Sequence, residues 1–191
     1  MKKIGITGGI GSGKTYISKV FTSLGIPVFN ADVESKKLMT TSKILMELVK
    51  SEFGEGIYTN HNLNKEKLAS IVFSDKIKLE KLNSLVHPIV KAEFEKWCTK
   101  QISDYVIKEA AILFESKANI GLDAVICVSA PLELRIKRSM ERDNSTEKEI
   151  KNRIENQISQ EEKENLSDYI IVNDEKEMLL SQIIKLHKLL S

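Results

Sequence analysis

Near the start of the chain, Gly8-Gly9-Ile10-Gly11-Ser12-Gly13-Lys14-Thr15 satisfies G-x-x-x-x-G-K-[ST]. Glycines there allow positive φ and turn successive N–H groups inward as a nest, and a helix starting at the same point adds partial positive charge. Polyphosphate suits such a cradle. Gly9, Ile10, Gly11, Ser12 and Gly13 would line it, Lys14 would reach the β and γ phosphates, and the Thr15 hydroxyl would ligate Mg²⁺. ATP and Mg²⁺ are the expected cofactors. Asp32, a little farther on, could take the proton of an acceptor hydroxyl and align its oxygen, or simply cap a helix. Arg135, Lys137, Arg138 and Arg142 lie within a few helical turns, and Arg138 and Arg142, four apart, share a face. Closing over the phosphates, they would stabilise the transferring charge and exclude water; the alternative is a solvated face laced with ion pairs.

Elements must hold these groups. Apolar Lys3–Thr7 reads as a strand, and Ile17, Val20, Phe21 and Leu24 then recur at helical spacing, so the phosphate-loop motif sits between strand and helix. Val28-Phe29 forms a second short strand with Asp32 just past it, at the carboxyl end where open α/β sheets bind ligands. Residues 31–101 read as mainly helical, interrupted at Gly54, Gly56 and Asn60–Asn64, and are too many for a simple crossover helix. Strand-like runs return at 105–107, 124–128 and 169–172, and Leu179, Ile183, Leu186 and Leu190 give a helix over 175–190 its core-facing stripe. Continuous apolar strands alternating with helices predict an α/β fold: a P-loop NTPase core with about five parallel strands between helices. Polar residues 135–165 read as a pair of surface helices.

The 191 residues are enough for about one domain with an insertion, and 29 Lys and Arg against 27 Asp and Glu are too balanced to predict a nucleic-acid or anionic-membrane partner. Cys98 and Cys127 lack metal-ligand or disulfide-framework spacing and read as structural thiols. With neither a signal-peptide pattern nor a membrane-length apolar run, a cytoplasmic protein is expected, a monomer by default, acting on a small molecule. A GTPase is disfavoured: Asn64-Lys65-Glu66-Lys67 misses N-K-x-D, and D-x-x-G does not occur. A kinase for a small acceptor and a non-catalytic ATP-binding module remain.

Taken together, Thr7–Lys14, Asn30-Ala31-Asp32, His87-Pro88, Ile112-Leu113-Phe114-Glu115, Arg142-Asp143 and Gln157 resemble the bacterial dephospho-CoA kinases over nearly the whole chain. The resemblance implies transfer of the ATP γ-phosphoryl group to the ribose 3′-hydroxyl of dephospho-CoA. Implied too is a three-part build: a core at 1–31, 103–134 and 166–191, a helical acceptor-binding insertion at 32–102 and a lid at 135–165. Asp32 becomes the expected base, with Lys14, Arg138 and Arg142 catalytic. Asp32, His87, Leu113 and Glu115 become acceptor-binding, and Asn173 lies on the adenine side or is a turn residue. Glu109 is a candidate acid near Mg²⁺; Arg153 and Gln157 are lesser lid candidates. Asn30 stands where the family usually has Asp, which keeps the second carboxylate, Asp32, as the expected base; Ala111-Ile112 stand where many members have Pro-Leu, so the acceptor pocket wall would differ slightly in shape. Other P-loop nucleoside, nucleotide or small-alcohol kinases are the alternative.

Overall fold

The computed structural model describes residues 1–59 and 62–191. The chain divides into two compact units, Met1–Asn30 with Gln101–Ser191, and Ala31–Lys100.

In the first unit, β1 (Lys2–Thr7), α1 (Lys14–Ser23) and β2 (Val28–Asn30) follow the order expected of a strand, phosphate loop and helix. The second unit supplies α2 (Ala31–Thr41), α3 (Lys43–Phe53), the antiparallel pair β3 (Tyr58–Thr59) and β4 (Asn62–Leu63), α4 (Lys65–Phe73) and α5 (Lys76–Cys98). The first unit then resumes with β5 (Tyr105–Glu109), β6 (Ala124–Ser129), α6 (Leu132–Asp143), α7 (Glu147–Glu155), α8 (Gln160–Asn165), β7 (Tyr169–Val172) and α9 (Leu179–Leu190).

Five parallel strands form one sheet in the order β2-β5-β1-β6-β7. Continuous apolar sequence gives this arrangement because central parallel strands lie between helical layers: every residue of β5 is buried, and β1 is buried from Ile4 onward. Ile17 and Phe21 of α1 and Ile183 and Leu190 of α9 join Ile4, Ile6, Ile107 and Ile126 in the core. Each such side chain contributes about 1.5–3 kcal/mol by leaving water. Phe21 meets Tyr105 edge-on at 6.5 Å, and the Tyr105 hydroxyl bonds His187 Nδ1 at 2.8 Å, tying α9 to the sheet; burial raises the Tyr105 pKa. From β1 the chain crosses toward β2, whereas from β6 it moves away to β7. The reversal opens a crevice beyond the carboxyl end of β1, where the phosphate loop begins.

In the second unit, Ser42, Asn64 and Asp75 cap α3, α4 and α5 by accepting from backbone N–H groups. Leu45, Met46, Val49, Val86, Val90 and Phe94 are buried. The interruption expected at Gly54, Gly56 and Asn60–Asn64 contains a 3-10 turn at Glu55–Ile57 and the β3–β4 pair, whose two-residue strands are too short to show a period; Asn60 and His61 lie outside the described residues.

Two boundaries differ from expectation. α9 starts at Leu179, because Asp174 Oδ1 accepts from Lys176 N and Glu177 N, both at 2.9 Å, and holds a turn ahead of the helix. These bonds also depress the Asp174 pKa. Residues 135–165 belong to three helices, not two, and α6 starts at Leu132 directly after Pro131.

Candidate active site

Gly11 (φ 78°) and Gly13 (φ 98°) turn the loop through left-handed backbone, and Gly13 is the N-cap of α1. Among the described residues the Gly11 and Gly13 N–H groups have no acceptor, and the buried Ser12 Oγ has no partner. Unpaired buried polar groups are costly, so donors gathered at a helix start fit an anion such as phosphate. Buried Lys14 reaches back to Gly8 O at 2.9 Å and Gly9 O at 3.1 Å. Thr15 Oγ1 donates to Glu109 Oε1 at 2.7 Å. Glu109 ends β5 between Ile6 and Asn30 in register and is 4% exposed. A hydroxyl beside a carboxylate is an all-oxygen donor set, which suits Mg²⁺. Among the described residues no cluster of three acidic, His or Cys side chains could hold a metal, but Mg²⁺ takes much of its shell from phosphate and water.

The loop's outer rim is held by side chains from far along the chain. Gly9 N donates to Gln160 Oε1 at 3.3 Å and Ile10 N to Gln157 Oε1 at 3.0 Å, so these two expected phosphate donors are already engaged. Arg135 Nε donates to Ile10 O at 3.0 Å and Asn173 Nδ2 to Ser12 O at 2.8 Å. A Cβ on Gly11 would strike Arg135 O and Ser139 Oγ, and one on Gly13 would strike the Asn173 amide. The loop therefore needs glycine for close approach as well as for φ. Sequence reasoning singled out neither Gln160 nor Ser139. Arg135 and Ser139 lie four apart on α6, a spacing that gives one face, but nothing in it says that a polar face is the buried one. Burial lowers the Arg135 pKa.

The two arginines expected to clamp phosphate are elsewhere engaged. Arg138 donates to Asn173 O at 3.1 Å and Glu175 Oε1 at 2.8 Å. Arg142 forks onto Asp143 at 2.8 and 2.9 Å, and Arg153 reaches the same carboxylate at 2.9 Å; the Arg142 hydrogen bond, first among the causes, holds the Asp143 pKa low. Lys137 is exposed. Leu113 is fully buried beside Gly5, where a Cβ would come within 2.8 Å of Leu113 Cδ2. Glu115 Oε1 accepts from Lys163 Nζ at 2.7 Å and Ile158 N at 3.2 Å. In the other unit, Asp32 lies exposed in the first turn of α2, one position past the start and so not the N-cap, where its charge suits the helix dipole. His87 is half-buried in α5, immediately before the internal Pro88.

A parallel sheet with a glycine-rich phosphate loop between β1 and α1 defines the P-loop NTPase fold. Shikimate kinase from Bacteroides thetaiotaomicron shares it, with TM-score 0.55 and 17% identity, over 99% of this chain and 98% of that one. A dephospho-CoA kinase family profile matches residues 2–178. A Bacteroides fragilis dephospho-CoA kinase is 39% identical over 185 residues, covering 96% of this chain and 90% of that protein. A Porphyromonas gingivalis one is 36% identical, covering 97% and 93%. The Campylobacter jejuni dephospho-CoA kinase structure superimposes with TM-score 0.69 at 26% identity, covering 98% and 96%. The chain belongs to the dephospho-CoA kinase family.

Proposed function

We propose that this protein transfers the γ-phosphoryl group of ATP to the ribose 3′-hydroxyl of dephospho-CoA, giving coenzyme A and ADP. The observation that carries the reading is the phosphate loop, with Gly11 and Gly13 N–H open, Lys14 on its carbonyls and Thr15 beside Glu109, in a chain matched to the family from residue 2 to residue 178.

Open loop amides and Lys14 bind the polyphosphate; Thr15, through its hydroxyl, and Glu109, which now accepts that hydroxyl, would hold Mg²⁺. Bound there, Mg²⁺ would supply Lewis-acid stabilisation of the charge that develops in transfer. Asp32 takes the proton of the 3′-hydroxyl as its oxygen bonds to phosphorus and the bond to the β-phosphate oxygen breaks. Arg138 and Arg142, carried by the lid at 135–165, exchange their present carboxylate and carbonyl partners for phosphate oxygens. His87 and the wall around Leu113 contribute to the acceptor side, within the insertion at 32–102 and the turn after β5. Asn173 fixes the loop, with the adenine beyond it. The protein works on small molecules as a cytoplasmic monomer; both cysteines are free thiols, in keeping with a reducing compartment. Among the described residues no helix is long and apolar enough to cross a membrane.

The purified chain mixed with dephospho-CoA, ATP and Mg²⁺ should form coenzyme A, detectable by mass spectrometry. Turnover with nucleoside monophosphates but none with dephospho-CoA would move the acceptor to another class. Asp32→Asn should lower kcat about 10²- to 10⁴-fold with both substrates still bound; wild-type turnover in that variant removes the base assignment.

A further inference from the structure

We propose that Glu115 and Lys163 are positioning residues for nucleotide binding. The pair anchors residues 157–163 so that Gln157 and Gln160 hold the first half of the phosphate loop in shape. This rests on the kinase reading above and gives Glu115 a role other than touching the acceptor.

Lys163 has no exposed surface, and its Nζ meets Glu115 Oε1 at 2.7 Å and Ala111 O at 2.9 Å. The same Glu115 oxygen accepts from Ile158 N at 3.2 Å. One carboxylate, on the turn after β5, thus grips both ends of the stretch from Ile158 to Lys163. Gln157 and Gln160, beside and within that stretch, deliver their amide oxygens to Ile10 N and Gly9 N. Gln160 is oriented as well: its Nε2 donates to Glu164 Oε1 at 2.9 Å and Val128 O at 3.4 Å, which turns the oxygen toward the loop. Buried ion pairs return little net stability compared with apolar side chains of similar volume, so stability alone accounts poorly for this one. Geometry accounts for it better: a buried charged anchor admits one arrangement, and a phosphate cradle loses affinity when its donors drift. Glu115 Oε1 is taken up by Lys163 and Ile158, and Oε2 is buried, so the carboxylate offers almost no surface for a substrate to touch.

The test uses the full chain with Mg²⁺. Readouts are equilibrium binding of inorganic tripolyphosphate, which needs neither adenine nor acceptor, and KM for ATP and for dephospho-CoA. Glu115→Gln and Lys163→Met should each weaken tripolyphosphate binding and raise the ATP KM by roughly tenfold, with the dephospho-CoA KM changed less than about twofold. Gln157→Leu, at a half-buried position, should do the same, and Glu115→Gln combined with Gln157→Leu should be no worse than the worse single variant. A raised dephospho-CoA KM with unchanged tripolyphosphate binding in Glu115→Gln makes Glu115 a substrate contact and overturns the proposal; additive losses in the double variant overturn it too. Should the Glu115 and Lys163 variants fail to fold, Gln157→Leu decides alone, and unaltered tripolyphosphate binding there refutes the idea. A wild-type chain that binds tripolyphosphate yet makes no coenzyme A would break the kinase reading and leave the positioning role standing.

Discussion

Arg135 and Arg142 belong to one helix, α6, and live in different physical worlds. Arg135 is 5% exposed, donates to a loop carbonyl and has its pKa lowered by burial. The Arg142 side chain is 60% exposed and forks onto its neighbour Asp143, which Arg153 shares. Removing a buried donor leaves a carbonyl unsatisfied and carries its full desolvation penalty, whereas an exposed ion pair is screened and worth about 1 kcal/mol or less. The inner end of α6 is therefore built to stay, and the outer end can trade carboxylate for phosphate cheaply. A charge's surroundings decide whether it braces or moves.

The comparison breaks most visibly at the loop. Gly11→Ala should cost about 2–4 kcal/mol and abolish nucleotide binding, since a Cβ there meets the fixed Arg135 carbonyl as well as unfavourable φ. Gly9→Ala should cost less, about the 1–3 kcal/mol carried by the Arg135 contact, because its Cβ displaces the Arg135 guanidinium and no backbone. Thermal melts and ATP titration rank the two, and the reverse order would mean that the Arg135 carbonyl yields more readily than its guanidinium. Arg142→Ala should lower kcat about 10²-fold with the melting temperature and ATP KM nearly unchanged. A raised ATP KM at constant kcat would recast Arg142 as a ground-state contact. Arg135→Leu should show the opposite profile, losing about 1–3 kcal/mol of stability and weakening nucleotide binding, with kcat at saturation less affected.

The smallest effect belongs to Asp143→Asn, about 0.5 kcal/mol or less once solvent screening is counted. Its sign follows from the depressed folded-state pKa of Asp143. The contribution is present above the unfolded value near 4 and disappears as pH falls through the folded one. Melting curves of wild type and variant should separate slightly at pH 7 and converge in acid; a gap that persists in acid would locate the effect elsewhere.

Much of this architecture was legible in order. The run from Gly8 to Thr15 names a phosphate loop because its conformation and donors are local, and the apolar strands announce a parallel sheet because burial on both faces leaves no polar alternation. The Asp174 turn escaped notice because an Asx turn competes with helix inside a segment whose apolar stripe begins only at Leu179. Arg138 and Arg142 share a face as expected, yet the structure pairs them with Glu175 and Asp143, and the α6 arginine that donates to the loop is Arg135. Helical spacing tells which residues are neighbours on a helix but not which face is turned inward.

By itself the sequence determined the chemistry available: a glycine nest, one lysine and one hydroxyl at fixed offsets, all set by the conformational freedom of adjacent residues. Only the tertiary structure decided which of the loop's donors stay open. Gln157 meets Ile10 across 147 positions and Gln160 meets Gly9 across 151, and separations of that size are closed by the packing of the whole unit rather than by any local preference.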